Sequence, residues 1–263
     1  MTRRLAIVCW MLCLSALAGD WRETLTPPQP GAFPLPRPLK ATYKFGWGAV
    51  TAAQADFDFS TTKAGLLKLT VKAKTTGMVR KLWQMDTQHT ALCNAATLRP
   101  VSLQQTETYK AKTLIAKANF AADEVQGWRE SKPAGSSPPK WRRFKCADVF
   151  DLHTALLFTR SQPMRTGDIY RLAVYPAREA YLAEIEVAGR EKVTVGGKEY
   201  DAIKCALRLQ GITRELELEP HAKFKRAFIW VSDDGDRMLL KVQAEVFVGS
   251  VWTELESVKF AEP

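Results

Sequence analysis

The sequence is poor in the residues that metal and nucleophilic chemistry require. Only three histidines occur in 263 residues: His89, His153 and His221. No two of them are four residues apart, which excludes a zinc-protease helix. Five cysteines are present and none forms a C-x-x-C pair. Cys93, Cys146 and Cys205 lie about 50 to 60 residues apart, far from zinc-finger spacing. No Gly-x-Ser-x-Gly elbow and no phosphate-cradling glycine loop occurs. Beyond the first residues no apolar run approaches the roughly 18 needed for a membrane helix, so no transmembrane segment is expected in the mature chain. Acidic side chains are also outnumbered, 28 against 38 Lys and Arg, giving a formal charge of +10.

The N-terminus carries what the rest lacks. Arg3 and Arg4 precede an apolar stretch, Leu5 to Leu14, of about ten residues. Ala16-Leu17-Ala18 then places small residues before a cut after Ala18. This is the order of a secretory signal, so residues 1–18 are expected to be removed and the protein to be periplasmic or secreted. Residues 19–39 are read as a proline-rich spacer, because residues 26–38 hold six prolines. Residues 40–263 are expected to form one large β domain, or two halves divided at the loop 131–140.

Period-two alternation dominates from Leu39 onward. Leu67, Leu69, Val71 and Ala73 alternate with Lys68, Thr70, Lys72 and Lys74, the pattern of a half-buried strand. Similar runs span residues 84–92, 101–108, 113–120, 124–130, 169–175, 181–187, 224–232, 238–248 and 251–260. Gly196-Gly197 between two such runs predicts a tight hairpin. Trp141, Arg142, Arg143, Phe144 and Lys145 read as a charged edge strand rather than a nucleic-acid surface. Residues 78–83 fit one helical turn. One amphipathic helix is expected near residues 149–161, capped by Asp148, with Val149, Leu152 and Leu156 inward and Arg160 in its last turn. The fold class is therefore mostly β, an antiparallel barrel or roll with one short helix.

The chemistry on offer is sparse. An exported compartment allows one disulfide, Cys146 with Cys205, while three separate buried thiols are the plainer expectation. The Asp233-Asp234-Gly235-Asp236 turn is rich in oxygen but lacks the spacing of an EF-hand, so no metal and no cofactor is expected.

Several short motifs, in order, resemble exported bacterial proteins of the domain of unknown function 3108 family, over about Ala41 to Phe260. They are Tyr43-Lys44-Phe45-Gly46-Trp47-Gly48, Leu98-Arg99-Pro100, Asp151-Leu152 through Arg160, Gly167-Asp168, Gly189-Arg190-Glu191, Trp230-Val231-Ser232-Asp233-Asp234 with Arg237, and Gly249-Ser250-Val251. The resemblance implies an exported antiparallel β domain and assigns no catalytic residue. It marks Asp151, Arg160, Arg190, Glu191, Trp230, Asp233 and Asp234 as candidate binding positions. The expectation is a non-enzymatic envelope protein that binds an amphipathic ligand, lipid, lipopolysaccharide or glycan, or an envelope protein. The alternatives are an assembly factor working through an edge strand and, third, a hydrolase of envelope polymers built from Asp233 or Asp234, Glu191 and His153.

Overall fold

A computed structural model describes residues 20–133, 139–221 and 226–261. Residues 1–18, read above as a signal, lie outside the described residues.

Alternation becomes one antiparallel sheet made of two meanders. Its first half is β1 (Leu39–Trp47), β2 (Val50–Thr61), β3 (Leu66–Thr75), β4 (Met85–Asn94), β5 (Pro100–Tyr109), β6 (Thr113–Phe120), β7 (Val125–Lys132) and β8 (Lys140–Phe144). The second half is β9 (Ile169–Val174), β10 (Ala180–Val195), β11 (Lys198–Ile212), β12 (Leu218–Pro220), β13 (Arg226–Ser232), β14 (Leu239–Glu245) and β15 (Ser250–Phe260). A short helix α1 (Gly77–Leu82) joins β3 to β4, and α2 (Leu152–Ser161) joins β8 to β9. The strand order is β8-β7-β6-β5-β4-β3-β2-β1-β15-β14-β13-β11-β10-β9, with β12 paired to β11. The first and last strands of the chain's β region are thus neighbours, and the two halves join through β1 and β15.

Register follows the pattern of side chains. Leu67, Leu69, Val71 and Ala73 of β3 oppose Thr61, Phe59, Phe57 and Ala55 of β2, so one face of the pair is apolar. Lys68, Thr70, Lys72 and Lys74 take the other. The β10–β11 hairpin turns on Gly196 and Gly197, with φ of +56° and +74°. A Cβ at Gly196 would sit 2.4 Å from the Glu256 carbonyl oxygen, so that turn needs glycine for space as well as for φ. The Trp141–Phe144 run lies in β8, at one edge of the sheet, as its charge pattern predicts.

The sheet curls but is not closed by a ladder. Leu103, Ala118, Val125 and Phe144 of the β8 side share one core cluster with Ala173, Ala180, Leu182 and Ile212 of the β9 side. The edges β8 and β9 are bridged by the intervening segment. Phe150 N–H donates to the Ala173 carbonyl (2.8 Å), and Tyr175 N–H donates to the Phe150 carbonyl (2.7 Å). Among the described residues no helix is long and apolar enough to cross a membrane.

Two expectations need correction, and one alternative is decided. The helix begins at Leu152, and its N-cap is Asp151, not Asp148. Asp148 has φ +58° and pairs with Arg99 at 3.0 Å. The cap's later position rotates the buried face: Ala155, Leu157 and Phe158 point inward, while Leu152 is 55% exposed. The cysteine alternative is decided for separate thiols, and Cys146 and Cys205 form no disulfide. Cys93, Cys146 and Cys205 are free and buried, and Cys146 and Cys205 belong to different core clusters. Burial pushes the Cys93 and Cys205 thiols up to about 12, which makes them inert. Residues 20–38 are not a solvated spacer. A 3-10 turn (Trp21–Thr24) starts the segment, and Thr26 N–H donates to the Arg171 carbonyl (2.9 Å). Phe33 N–H donates to the Ser161 carbonyl (3.1 Å). The prolines remove donors that a strand would need, but the chain remains fixed by the N–H groups that are left.

Candidate functional site

The site starts from one carboxylate. Asp151 is fully buried. It accepts from His153 N (2.8 Å), Thr154 N (3.2 Å) and Thr154 Oγ1 (2.9 Å). These bonds satisfy the orphan donors at the start of α2 and fix the direction in which the helix leaves the seam. Burial raises the Asp151 pKa, while the donors from Thr154 and His153 act against that shift.

At the other end of α2, Arg237 reaches in from the turn between β13 and β14. It donates to the carbonyls of Arg160 (2.7 Å), Gln162 and Pro163 (3.0 Å), a cation on the negative end of the helix dipole. Arg160 itself is only 5% exposed. Its Nη1 donates to the Pro34 carbonyl (2.7 Å) and its Nη2 to the Asp236 carbonyl (2.7 Å). Nε is buried and has no partner among the described residues. No carboxylate lies within ion-pair distance of Arg160 among the described residues. Burial, and then the neighbouring Arg237, pull its pKa down to about 10, so the guanidinium remains charged. The Phe33 ring meets both cations, its centroid 3.7 Å from the Arg237 and 5.2 Å from the Arg160 guanidinium carbon.

Between α2 and the inner face of β1 to β4 lies a cavity of about 130 Å³. Tyr43, Phe57, Phe59, Leu67, Leu157 and Met238 form much of its wall. Its charged side chains and its one imidazole come from the α2 side and the β13–β14 turn: His153, Arg160, Asp236 and Arg237, with Thr154 beside them. His153 Nε2 is buried and has no hydrogen-bond partner among the described residues. Its ring meets His89 edge-on, with centroids 5.9 Å apart. Burial lowers the pKa of both histidines to about 4, so both are neutral near pH 7. The result is an apolar chamber with one buried, incompletely paired cation in its wall.

The remaining candidate positions are placed elsewhere. Arg190 pairs with Asp233 at 2.7 Å. Asp234 Oδ1 accepts from Ser232 Oγ (2.7 Å), Asp236 N (2.9 Å) and Arg237 N (3.1 Å), and so shapes the turn that presents Arg237. Asp236 is paired with Arg37, Nη2 to Oδ2 at 2.6 Å. Among the described residues no cluster that could hold a metal is present. Trp230 Nε1 donates to Glu191 Oε1 (2.7 Å), and Lys204 lies 3.2 Å from the same oxygen. That donor, more than Lys204, lowers the Glu191 pKa. Alternation puts Trp230 on the face of β13 opposite Ile229 and Val231. Asp233, Asp234 and Glu191 do not line the cavity that His153 enters. The acid–base constellation considered from sequence is therefore not assembled there. Of the seven candidates only Arg160 lines the chamber, with Asp151 and Asp234 supporting its wall at one remove. The aromatic lining of β1 and β2 and the role of Phe33 were not legible as site features. Their inward alternation was visible, but the space they face depends on how the sheet curls.

These features define a class: a curled antiparallel β-sheet molecule whose helix covers an apolar chamber. The chain belongs to the family described as protein of unknown function (DUF3108), whose model matches residues 42–256. Its fold is similar to that of a solved structure described as a β-barrel-like protein of domain of unknown function DUF1849 from Brucella abortus. That likeness has a TM-score of 0.58 at 8% identity and covers 88% of this chain and 100% of that one. No curated protein matches the sequence.

Proposed function

We propose that this protein is a non-enzymatic component of the cell envelope that binds an amphipathic anion, its apolar part in the chamber and its charged end toward Arg160. The observation that carries the reading is the coincidence of an apolar wall with a buried guanidinium that has no carboxylate partner among the described residues. Buried charges are normally paired. A ligand carboxylate or phosphate would complete this one. The volume, about 130 Å³, is close to that of engineered cavities that accept one small apolar molecule. It suits a short aliphatic segment rather than a sugar. The signal-like residues 1–18 support export, and with it an envelope setting.

The test is thermal denaturation of the purified protein with octanoate and, separately, with octanol. Octanoate is expected to raise Tm and octanol to raise it less. Ligand at about 100 times its Kd would stabilise by about 2.7 kcal/mol. Arg160→Met is expected to erase the difference between the two probes. Ala91→Phe, which fills the wall, is expected to lose both responses. Equal responses in the unaltered protein, or no response from any chain length, would remove the reading. A co-purified glycan or protein found by mass spectrometry in place of a lipid would replace it.

A further inference from the structure

The end of the molecule away from the chamber is unusually apolar. Antiparallel neighbours put the β1–β2 turn, the α1 connection, the β5–β6 turn and the β14–β15 turn at one end of the sheet. The chamber residues Leu39, Phe59, Leu67 and Cys93 lie at the opposite ends of β1 to β4. Across this rim, about 30 Å wide at normal strand spacing, Trp47, Met78, Leu82, Trp83, Phe247 and Val248 are all exposed. Phe247 is 91% and Leu82 86% exposed, which places them at tips rather than in half-covered seams. Large side chains collected on adjacent turns mark an interaction surface.

The turns are held in place. Trp47 Nε1 donates to the Val248 carbonyl (2.7 Å), and Trp252 Nε1 donates to the Gly48 carbonyl (2.8 Å). Thr76 N–H donates to the Ala52 carbonyl (2.9 Å), fixing the start of α1 against β2. The indole N–H of Trp47 is therefore satisfied internally, and the exposed part of the ring is apolar.

Charge identifies the occupant. Lys81, Lys110 and Lys112 are exposed beside these side chains, and none makes an ion pair among the described residues. Arg80 is paired with Asp86 at 2.8 Å. Glu245 is the carboxylate at the base of the β14–β15 turn. A depression between α1 and the β5–β6 turn is lined by Arg80, Lys81, Trp83, Tyr109, Lys110 and Lys112. Aliphatic tips, indole rings and unpaired lysines in one layer are the composition of a surface that sits at a membrane interface. A glycan would select flat rings and polar partners, and it would leave Leu82 and Phe247 without a role.

We propose that this rim docks onto a phospholipid bilayer: Met78, Leu82, Phe247 and Val248 enter the acyl boundary, and the lysines flanking the depression meet anionic headgroups. The inference does not depend on the chamber, which lies at the other end of the strands.

The experiment is co-sedimentation of the purified protein with two kinds of vesicle. One is phosphatidylcholine alone, and the other contains phosphatidylglycerol at about one part in three. Binding is expected to the anionic vesicles, to weaken with salt, and to shift Trp fluorescence to the blue. The double substitution Leu82→Asp with Phe247→Asp changes exposed tips and is expected to weaken binding more than about tenfold. Lys110→Gln with Lys112→Gln is expected to reduce both affinity and salt sensitivity. Lys63→Gln, at the opposite end, is expected to bind as the unaltered protein does. Failure to sediment with anionic vesicles, or equal binding by the doubly aspartate-substituted form, would overturn the proposal. So would a dimer in solution that those aspartates dissociate while vesicles are ignored, since the rim would then be an interface between two copies.

Discussion

Acid should unfold this protein through its paired histidines, and His153→Gln isolates the effect. In the folded chain burial holds His153 and His89 neutral, with pKa values of about 4, against about 6.5 in an unfolded chain. A depressed histidine pKa means that the unfolded state binds protons first as pH falls. Stability is then intact above the unfolded value and is lost progressively between the two values. For one histidine the loss is about 2 kcal/mol between about pH 7 and about pH 5, approaching about 3 kcal/mol below pH 4. His153 also lies in the first turn of α2, where an imidazolium would face the positive end of the helix dipole. Urea denaturation followed by circular dichroism at both pH values supplies the comparison. Carboxylates such as Glu184 and Asp86, lowered by their arginine partners, add their own acid loss in both proteins and cancel in the difference. The acid loss of the variant should be smaller by about 2 kcal/mol. Identical losses in the two proteins would show that His153 is free to take up a proton in the native state, and the account of its burial would be wrong.

Three further outcomes follow from the same geometry. Asp151→Ala should destabilise by about 2 kcal/mol, since it removes a buried cap and strands the His153 and Thr154 backbone N–H groups; an unchanged urea midpoint would show that the cap is dispensable. Phe33→Ala should release the segment before β1, lowering stability by about 1–2 kcal/mol and exposing residues 26–38 to proteases; limited proteolysis with mass spectrometry reads both the site and the rate. Cys93, Cys146 and Cys205 should react with a thiol reagent only after denaturation, and reductant should leave Tm unchanged; a reductant-sensitive Tm would mean that a disulfide forms after all.

How much of this could be read from the chain varies with the range of the interaction involved. Strand positions were legible because Leu67 to Lys74 alternate within one strand, and the Gly196-Gly197 turn because its φ requirement is local. The β8 edge was legible from its charge. The helix was legible in existence but not in register. Asp148 and Asp151 are both chemically able to cap, and only the seam contacts of Phe150 decide between them. The N-terminal segment was misjudged for a related reason. Proline content predicts what a segment cannot pair with, but not that Phe33 will find two guanidiniums from residues 127 and 204 positions away. The chamber was hidden because its walls come from β1 to β4 and from α2, which meet only when the sheet curls. Arg160 could be flagged as a position, but the lack of a carboxylate beside it is a fact of three dimensions.

A fully laddered barrel has a fixed girth, since widening it breaks a whole row of hydrogen bonds. Here the β9 margin is tied by backbone bonds at Phe150 to the segment that continues from β8, side chains from both margins share one core cluster, and the next residue, Asp151, is the anchor of the helix over the chamber. Small slippage along that seam would change the room inside while every strand keeps its hydrogen-bonded neighbours.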